Sequence, residues 1–370
     1  MAEIKKALIM AGGTGGHVFP GLAVAKALIE QGVEVRWLGT PNGIEARLVP
    51  ENNIELIMVN VQGLRGNGIV RLLKAPWVLL KALWIILAQL TKFRPDVVIG
   101  FGGFVSGPGG VAAWLSKIPL VLHEQNAIPG LTNRILARLA TRVAEAFPQS
   151  FDARFRASLT GNPVRADIAS MPAPSDRNIG QRSPLRLLVL GGSLGAAAIN
   201  DVVPRALAEM NTEMRPMVRH QAGARWGDQT REIYDSLGVV AEVVPFIDDM
   251  KEALAWADMV VCRAGALTVS ELCAAGIGAI LVPYPYAVDD HQTKNAGFMV
   301  RGDAAISVQQ SDLTVPWLAD RLQQWQENPS ALLEMAESAR ALAQVDATTK
   351  VVELVEEAVV GFVASAKGQL

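Results

Sequence analysis

The chain has few of the residues that build disulfide frameworks or metal sites. Its 370 residues include only two cysteines, Cys262 and Cys273, which have neither pairing nor metal-ligand spacing. Such cysteines are typical of reduced core residues in a cytosolic protein. The sequence contains four histidines and no Asp-x-Asp pair, the motif with which many sugar transferases hold Mg²⁺ or Mn²⁺. We therefore expect no metal site and no cofactor.

Two common nucleotide-binding motifs are also missing. The segment GGTGGH at 12–17 does not fit Gly-x-Gly-x-x-Gly, and the next predicted strand ends at Gly39 and Thr40 without the acidic residue that holds an adenosine ribose. No Gly-Lys-[Ser/Thr] follows a glycine turn, which excludes a P-loop ATPase. Together these absences argue against a dehydrogenase and an ATPase.

The composition is that of a globular protein with two domains. Half of the residues are hydrophobic and 19% are charged. A chain of 370 residues is too long for a single compact core. Residues 1–163 carry 17 Lys and Arg and 10 Asp and Glu, a net charge of +7, whereas residues 164–370 carry 17 and 26, a net charge of −9. The basic half suggests an anionic surface as its partner, and uneven composition without function is the alternative.

Short apolar runs alternate with helical patterns, which predicts two Rossmann-like, doubly wound parallel-sheet α/β domains. We expect one domain at 1–163 and the other at 164–342, with a linker or hinge at 169–184. A long last helix, about 330–367, is expected to return to the first domain through its part after 343. The predicted strands are 6–10, 33–39, 55–60, 96–101, 119–124, 141–147, 185–191, 217–223, 241–246, 258–263, 278–284 and 304–308.

The two halves share a strand, a glycine turn and a helix. KALIMAGGTGGHVFPGLAVAKAL at 6–28 corresponds to LRLLVLGGSLGAAAINDVV at 185–203, and a third glycine-rich run spans 100–110. In a doubly wound sheet such turns lie at the carboxyl ends of strands, where backbone and helix N-terminus accept phosphate. Tight packing is the alternative explanation for some of these glycines. The repeat predicts a phosphate-bearing ligand between the halves.

Three polar positions are candidates for chemistry. His17 follows the first glycine turn, where a general base or a substrate contact is credible and capping or packing is the alternative. For His123, orienting the loop of Glu124 and Asn126 is the favoured interpretation. Glu271, after Gly265 on the next predicted helix, suits the hydroxyls of a ribose, and a first-turn glutamate complementing the helix dipole is an equal alternative.

These residues together resemble the MurG family, the N-acetylglucosamine transferases of peptidoglycan synthesis. The resemblance extends over nearly the whole chain in family order. The matching segments are AGGTGGHVFP (11–20), WLGTPNGIE (37–45), FGGFVSGPGG (101–110), HEQNAIPG (123–130), GNPVR (161–165), GGSLGA (191–196), HQAG (220–223) and GALTVSE (265–271).

The resemblance implies a GT-B glycosyltransferase whose two domains face a cleft. It would move GlcNAc from UDP-GlcNAc to the 4-hydroxyl of MurNAc in lipid I, the undecaprenyl-pyrophosphoryl-MurNAc-peptide, forming lipid II with inversion. This serves cell-wall biogenesis, and with it cell shape and division. Ile247 would meet the uracil, Glu271 the ribose, and Ser193 the diphosphate. The implied donor site comprises Thr14, Gly15, Gly16, Asn126, Arg165, Ser193, Ile247, Ala266, Leu267, Thr268, Val269, Ser270, Glu271 and Gln292.

Inversion by a single displacement needs a base for the acceptor hydroxyl. We expect His17 first and Glu124 second in this role. The first glycine turn, Gly12 to Gly16, is expected to serve the acceptor diphosphate, with Gly102 and Gly103 on the acceptor side. A UDP-GlcNAc epimerase of similar fold and a non-catalytic sugar-nucleotide sensor are the alternatives.

Segment 69–94 is the candidate membrane surface. Its apolar stretch, about 16 residues interrupted by Lys81, is too short to span a bilayer but suits an interfacial helix on anionic lipid. A helix buried against the sheet is the alternative, and both can hold for different faces. We expect a peripheral enzyme on the cytoplasmic face of the bacterial inner membrane, with other cell-wall synthesis proteins as candidate partners and no nucleic acid. The predicted contacts are Arg71, Lys74, Trp77, Lys81 and Trp84.

Overall fold

The structure is a computed structural model that describes residues 4–60, 68–192 and 195–367. For 68–76, 288 and 365–367 it describes the backbone alone. The chain forms two compact units, of which the first comprises Met1–Arg165 with Val345–Leu370 and the second Ala166–Gln344. Each unit has its own parallel sheet with helices on both faces.

The first unit contains a seven-stranded sheet and six α-helices among its described residues. Its strands are β1 Lys6–Ala11, β2 Glu34–Gly39, β3 Glu55–Met58, β4 Val97–Gly102, β5 Leu120–Glu124, β6 Arg142–Glu145 and β7 Ser158–Leu159. Its helices are α1 Gly15–Glu30, α2 Glu45–Glu51, α3 Gly68–Phe93, α4 Ser106–Leu115, α5 Leu131–Leu136 and, from the end of the chain, α14 Ala347–Lys367.

The second unit contains a six-stranded sheet. Its strands are β8 Arg186–Leu190, β9 Met217–Gln221, β10 Glu242–Val244, β11 Met259–Cys262, β12 Ala279–Leu281 and β13 Ala305–Ser307. Its helices are α6 Ala166–Ala169, α7 Ala197–Glu209, α8 Gly227–Ser236, α9 Met250–Trp256, α10 Ala266–Ala275, α11 His291–Arg301, α12 Val315–Glu327 and α13 Ser330–Ala341.

Both sheets have the doubly wound strand order. The first runs β3-β2-β1-β4-β5-β6-β7 and the second β10-β9-β8-β11-β12-β13. The order therefore reverses between β1 and β4 in one unit and between β8 and β11 in the other, and ligands of such sheets bind at the carboxyl ends of these strands. All twelve predicted strands and the predicted fold class are confirmed. The two-residue β7 was not predicted because it is too short for a hydrophobic pattern.

Helices cover both faces of the first sheet, which explains why its strands are apolar almost throughout. On one face α1 and α14 pack against Ile9 and Ile99. On the other, α3 and α4 pack against Leu8 and Val98. The side chains on both faces of β1 and β4 are consequently buried. Packing from both sides fixes the two strands at the point where the strand order reverses.

The predicted single helix over 330–367 is two helices. The first, α13, packs against α10 in the second unit, whereas α14 packs against α1 in the first. The break lies at 342–346, and Asp346 precedes the new helix, with its carbonyl accepting from Lys350 N at 3.0 Å. Aspartate favours a helix N-terminus over a helix interior, which is the physical reason for the new start.

The segment 169–184, predicted as a linker or hinge, is instead fastened to the second unit. The guanidinium of Arg177 donates to the carbonyls of Ala275 and Gly276 at the end of α10. Arg182 pairs with the fully buried Asp258 at 2.7 Å. The Pro-rich and polar composition that indicated a linker here reflects tight turns over a packed surface.

Candidate active site

Two glycine turns meet where the strand order of the first sheet reverses. The turn after β1 contains Gly12 to Gly16, and the turn after β4 contains Gly102 and Gly103. Gly103 has φ +86°, and a Cβ there would lie 2.5 Å from Gly12 O. Glycine is therefore required at Gly103 by both conformation and space. Packing between the two turns accounts for this glycine without any ligand.

A buried carboxylate, Glu45 at the start of α2, holds the first turn in place. Glu45 Oε2 accepts from Gly13 N at 3.0 Å, and Oε1 accepts from Thr40 N at 2.9 Å and Thr40 Oγ1 at 2.6 Å. A Cβ on Gly12 or Gly43 would collide with the carboxylate. One backbone donor of the turn is thus used inside the protein, next to a negative charge.

Sequence reasoning did not single out Glu45. The only local signal was the pair of glycines around Thr40 and the glutamate five residues beyond it, in GTPNGIE. Nothing in that spacing indicates that a charged side chain is 0% exposed. The carboxylate matters for the site because an anion bound close to Gly13 would be repelled.

His17 lies in the first turn of α1, with its ring against the turn after β4. A Cβ on Gly102, which has φ +105°, would lie 3.0 Å from His17 Cε1 and Nδ1. His17 Nδ1 is 2.8 Å from Gln125 Oε1. The residue is half-buried.

The segment HEQN continues from the end of β5, which neighbours β4. His123 is 0% exposed, with Nε2 at 2.9 Å from Gly161 O and Nδ1 at 3.0 Å from Gln125 Nε2. Burial lowers the pKa of His123 from 6.5 to about 4, so this imidazole is neutral at neutral pH. Asn162 Nδ2 also donates to Gln125 O at 3.1 Å, which fixes the backbone of this segment.

Glu124 is buried and holds the loop that follows it. Its Oε1 accepts from Asn126 N at 3.0 Å and Asn126 Nδ2 at 3.2 Å. Its Oε2 accepts from Gly130 N at 3.1 Å and Asn133 Nδ2 at 2.9 Å. Four donors therefore converge on one carboxylate that is 1% exposed. The carboxylate is thus committed to contacts inside the protein.

In the second unit, the strand order reverses between β8 and β11, which pair directly. Helices α7 and α10 start after these two strands, so their N-termini lie at the same edge of the sheet. Helix N-termini present unpaired backbone N–H groups and the positive end of the helix dipole. Two of them side by side make this edge suited to a diphosphate.

The predicted donor residues after Gly265 form the first turns of α10. Ala266 and Val269 are buried against the unit, whereas Leu267, Thr268, Ser270 and Glu271 are partly exposed. Ser270 Oγ donates to Ala266 O at 3.0 Å. The C-terminal carbonyls of α10 are bound by Arg177 and Arg340, so the helix is fixed at the end opposite to its N-terminus.

The second glycine turn is supported by a buried polar network. Gly191 N donates to Gln221 O at 2.9 Å, and a Cβ on Gly195, which has φ +78°, would lie 2.5 Å from Ala222 O. Below the turn, His220 contacts Asn200 Oδ1 and Tyr234 Oη, both at 3.0 Å. Burial lowers the pKa of His220 to about 3, so it is neutral. Ser193, predicted at this turn, lies outside the described residues.

The other predicted donor residues lie around these elements. Gln292 on α11 accepts from Tyr284 N at 2.9 Å, and the buried Asn295 donates to Ala264 O at 3.2 Å, which ties α11 to the turn before α10. Ile247 follows β10, which β9 separates from β8. Arg165 is the last residue of the first unit before the chain enters the second. Thr14, Gly15 and Gly16 begin α1 beside His17.

Helix α3 has one buried and one exposed face. Ala82, Ile86 and Leu90 are buried at helical spacing, whereas Trp77 and Trp84 are 76% and 73% exposed. The prediction that one side of this helix packs on the sheet is confirmed. Lys81 is exposed, and the side chains of Arg71 and Lys74 lie outside the described residues. Among described residues, no helix is long and apolar enough to cross a membrane.

Two helices beside α3 also expose large apolar side chains. Helix α4 packs against both α3 and α5. It exposes Trp114 and Leu115, and α5 exposes Leu131 and Ile135. We call these exposed side chains, with Trp77 and Trp84, the apolar surface of the first unit. Large exposed apolar side chains on helices that pack together indicate contact with a membrane or another protein.

Family models that match both units identify a glycosyltransferase. The profile of the glycosyltransferase family 28 N-terminal domain matches residues 7–145, and that of the glycosyltransferase family 28 C-terminal domain matches residues 186–353. The chain belongs to glycosyltransferase family 28.

Close relatives are similar over nearly their whole length. A protein of Marinobacter nauticus, named UDP-N-acetylglucosamine--N-acetylmuramyl-(pentapeptide) pyrophosphoryl-undecaprenol N-acetylglucosamine transferase, is 53% identical over 96% of this chain and 98% of its own. One of the same name from Alkalilimnicola ehrlichii is 54% identical over 95% and 98%. The crystal structure of Acinetobacter baumannii MurG is 44% identical, with a TM-score of 0.83 over 95% of this chain and 99% of that one. The resemblance to the MurG family is confirmed.

Proposed function

We propose that this chain transfers GlcNAc from UDP-GlcNAc to lipid I and so forms lipid II in peptidoglycan synthesis. The observation that carries the proposal is identity above 50% to transferases of that name over nearly the full length of both chains. A match this long includes both glycine turns, HEQN and the start of α10, and therefore every segment that we assign to the reaction.

The second unit, in this proposal, holds the donor. The diphosphate of UDP-GlcNAc lies on the N-termini of α7 and α10, and Glu271 accepts from the ribose hydroxyls. Ile247 meets the uracil through its backbone, and Gln292 contacts the sugar. The side-chain oxygen of Gln292 already accepts from Tyr284 N, which leaves its amide N–H groups to donate to a sugar hydroxyl.

The first unit supplies the base. We assign this role to His17 and not to Glu124, because the carboxylate of Glu124 already accepts four hydrogen bonds and is 1% exposed. His17 is half-buried and has no hydrogen bond at Nε2 within the described part of the chain. It would take the proton of the acceptor hydroxyl as that oxygen attacks the anomeric carbon and UDP leaves from the opposite face, which inverts the configuration.

The contacts of Glu45 change our assignment of the acceptor diphosphate. We expected it on Gly12 to Gly16, but Gly13 N donates to a buried carboxylate. We therefore propose that this turn positions His17 and the donor sugar, and that the acceptor diphosphate binds away from Gly13. The N-terminus of α1 at Gly15 and Gly16 is still available to polar groups of the substrates.

The apolar surface of the first unit is proposed to contact the membrane that contains lipid I. Exposed cations accompany it, namely Lys81 on α3, Arg134 on α5 and Arg138 just after it. Exposed tryptophans with neighbouring cations suit the interface of an anionic bilayer. We propose a peripheral enzyme on the cytoplasmic face of the inner membrane. The two buried free cysteines fit that reducing compartment.

One assay separates the proposal from its alternatives. UDP release from UDP-GlcNAc is measured with and without a soluble lipid I analogue. Release that depends on the acceptor is expected of the transferase. Isomerised sugar nucleotide without acceptor would indicate an epimerase, and binding of UDP-GlcNAc without turnover in either arm would indicate a sensor. Either of these two results would contradict the proposed function.

A further inference from the structure

We infer that Gln125 and His123 form a hydrogen-bond relay from Gly161 to His17 that fixes the tautomer of His17 and leaves its Nε2 as the proton acceptor. The inference rests on the proposed role of His17 as base. Gln125 and His123 are positioning residues in this relay, since they act on substrate only through His17. The relay is built from three contacts of 2.8 to 3.0 Å between four residues.

The direction of the relay is set at its buried end. Gly161 O can only accept, so His123 Nε2, 2.9 Å away, must carry a hydrogen. His123 is neutral because burial lowers its pKa to about 4. A neutral imidazole has one N–H, and therefore His123 Nδ1 is an acceptor.

The amide of Gln125 transmits this direction to His17. Its Nε2 is 3.0 Å from His123 Nδ1 and 3.1 Å from His123 O, which are both acceptors, so the amide nitrogen belongs at that position. Reversing the amide would place its oxygen against His123 O. Gln125 Oε1 consequently faces His17 Nδ1 at 2.8 Å, and this ring nitrogen must donate.

The outcome is a histidine with its lone pair on Nε2. Within the part of the chain that the structure describes, His17 Nε2 has no hydrogen-bond partner, and the residue is half-buried. When Nε2 takes a proton from substrate, the bond from Nδ1 to Gln125 becomes charge-assisted and strengthens. His123 Nδ1 accepts a hydrogen bond from the amide of Gln125, which keeps its own hydrogen. The proton taken from the substrate therefore stays on His17.

The relay also gives a common role to two sequence motifs. HEQN contributes His123 and Gln125, and GNPVR contributes Gly161 and Asn162. Asn162 Nδ2 donates to Gln125 O, so the second motif fixes both the backbone of Gln125 and the start of the relay. A substitution in GNPVR can therefore affect the base without contacting substrate.

The direct test is the tautomeric state of the histidines in the full chain. With four histidines in the chain, ¹⁵N-imidazole labelling gives a spectrum that can be assigned by single variants. At pH 7.5 we expect His17 as the Nδ1–H form and His123 as the Nε2–H form. Finding His17 as the Nε2–H form in the folded enzyme overturns the relay. Because this readout needs no turnover, it is independent of whether the transferase assay succeeds.

A variant of Gln125 tests the consequence for catalysis. Gln125→Leu should mix the tautomers of His17 and lower kcat by about tenfold, the worth of one hydrogen bond, with KM for UDP-GlcNAc unchanged. The ¹⁵N-imidazole spectrum of folded Gln125→Leu should show both tautomers of His17, because the acceptor at 2.8 Å from Nδ1 is gone. An unmixed Nδ1–H form of His17 with wild-type kcat in this variant contradicts the relay. Gln229→Leu, an exposed site on α8, is the matched control.

Two substitutions of His123 separate the relay from packing. His123→Asn retains an acceptor near the position of Nδ1 and loses the bond to Gly161, whereas His123→Gln can still reach Gly161 but offers Gln125 no acceptor at that position. In both variants the backbone carbonyl of residue 123 still accepts from Gln125. If both fold, the relay therefore predicts a larger share of the Nδ1–H form of His17 in His123→Asn than in His123→Gln. Equal shares in the two variants overturn the relay, and so does the reverse order.

Discussion

Glu45 Oε2 accepts a hydrogen bond of 3.0 Å from Gly13 N, so a buried carboxylate closes the first glycine turn. The equivalent turn of the second unit is closed by backbone bonds, with a neutral His220 network beneath it. The two glycine turns occupy equivalent positions after the first strands of their sheets, but one is held by a side-chain carboxylate and the other by backbone hydrogen bonds. This difference supports the assignment of the donor diphosphate to the second unit.

Replacing Glu45 by Gln should destabilise the first unit. An amide cannot accept from Gly13 N and from Thr40 through both of its ends, so a buried donor loses its partner at a cost of about 1–3 kcal/mol. Urea unfolding measures the change in free energy. Glu51→Gln on the same helix is the control, because its ion pair with Arg47 is exposed and contributes little. Equal stability of the two variants would contradict the assigned role.

His17→Ala should lower kcat by about two to four orders of magnitude, the usual contribution of a general base. Its affinity for UDP should stay near that of wild type, because the second unit carries the diphosphate site. Steady-state kinetics and UDP titration measure the two effects. Near-normal turnover of the folded variant would remove His17 from the role.

Glu124→Gln tests the base that we rejected. An amide retains only part of the four accepted hydrogen bonds, so we expect lower stability and a higher KM. The pH dependence of kcat/KM should keep its acid limb, since His17 is intact. Loss of that limb in a folded Glu124→Gln enzyme would return Glu124 to the role of base.

The second glycine turn offers a matched pair of variants. Gly192 and Gly195 both have positive φ, but only at Gly195 would a Cβ collide with the backbone, at Ala222 O. Gly192→Ala should lower the free energy of unfolding by about 1 kcal/mol, because alanine is strained at a positive φ. Gly195→Ala should lower it further. UDP affinity should fall in the same order. Unchanged UDP affinity in both variants would argue against a diphosphate at this turn.

Acid should destabilise the protein through its buried histidines. In the unfolded chain these histidines have a pKa of about 6.5. In the folded chain the pKa of His123 is about 4 and that of His220 is about 3. Between these values the unfolded state binds more protons, so stability falls as the pH drops from 6.5. His220→Gln should be less stable at pH 7 but lose less stability between pH 7 and 5 in urea unfolding. An equal loss in wild type and variant would contradict this account.

Membrane binding should depend on the apolar surface. Trp77→Ala with Trp84→Ala should reduce co-sedimentation with anionic vesicles, and high salt should weaken binding of the wild type. Tyr286→Ala, which removes an aromatic side chain of 80% exposure from the second unit, is the matched control. Salt-independent binding would argue against the electrostatic part, and equal binding of both variants would argue against this surface.

The fold was predictable because the strands of a doubly covered parallel sheet are short, apolar and regularly spaced. The helix break before Ala347 was not, since α13 and α14 have similar apolar patterns and only Asp346 marks the new start. In the candidate site, His17 could be found from its place after a glycine turn. Glu45 and the relay through His123 could not, because their partners Gly13, Thr40 and Gly161 meet them only in the folded chain.

The central claim is tested most directly by following the sugar itself. The enzyme is incubated with UDP-GlcNAc labelled in the sugar, and with lipid I in detergent micelles. We predict one labelled GlcNAc per lipid I, in β-1,4 linkage to MurNAc, with UDP formed in equal amount. Label that stays on nucleotide while lipid I is unchanged, under conditions in which the enzyme is folded and binds UDP-GlcNAc, would contradict the account.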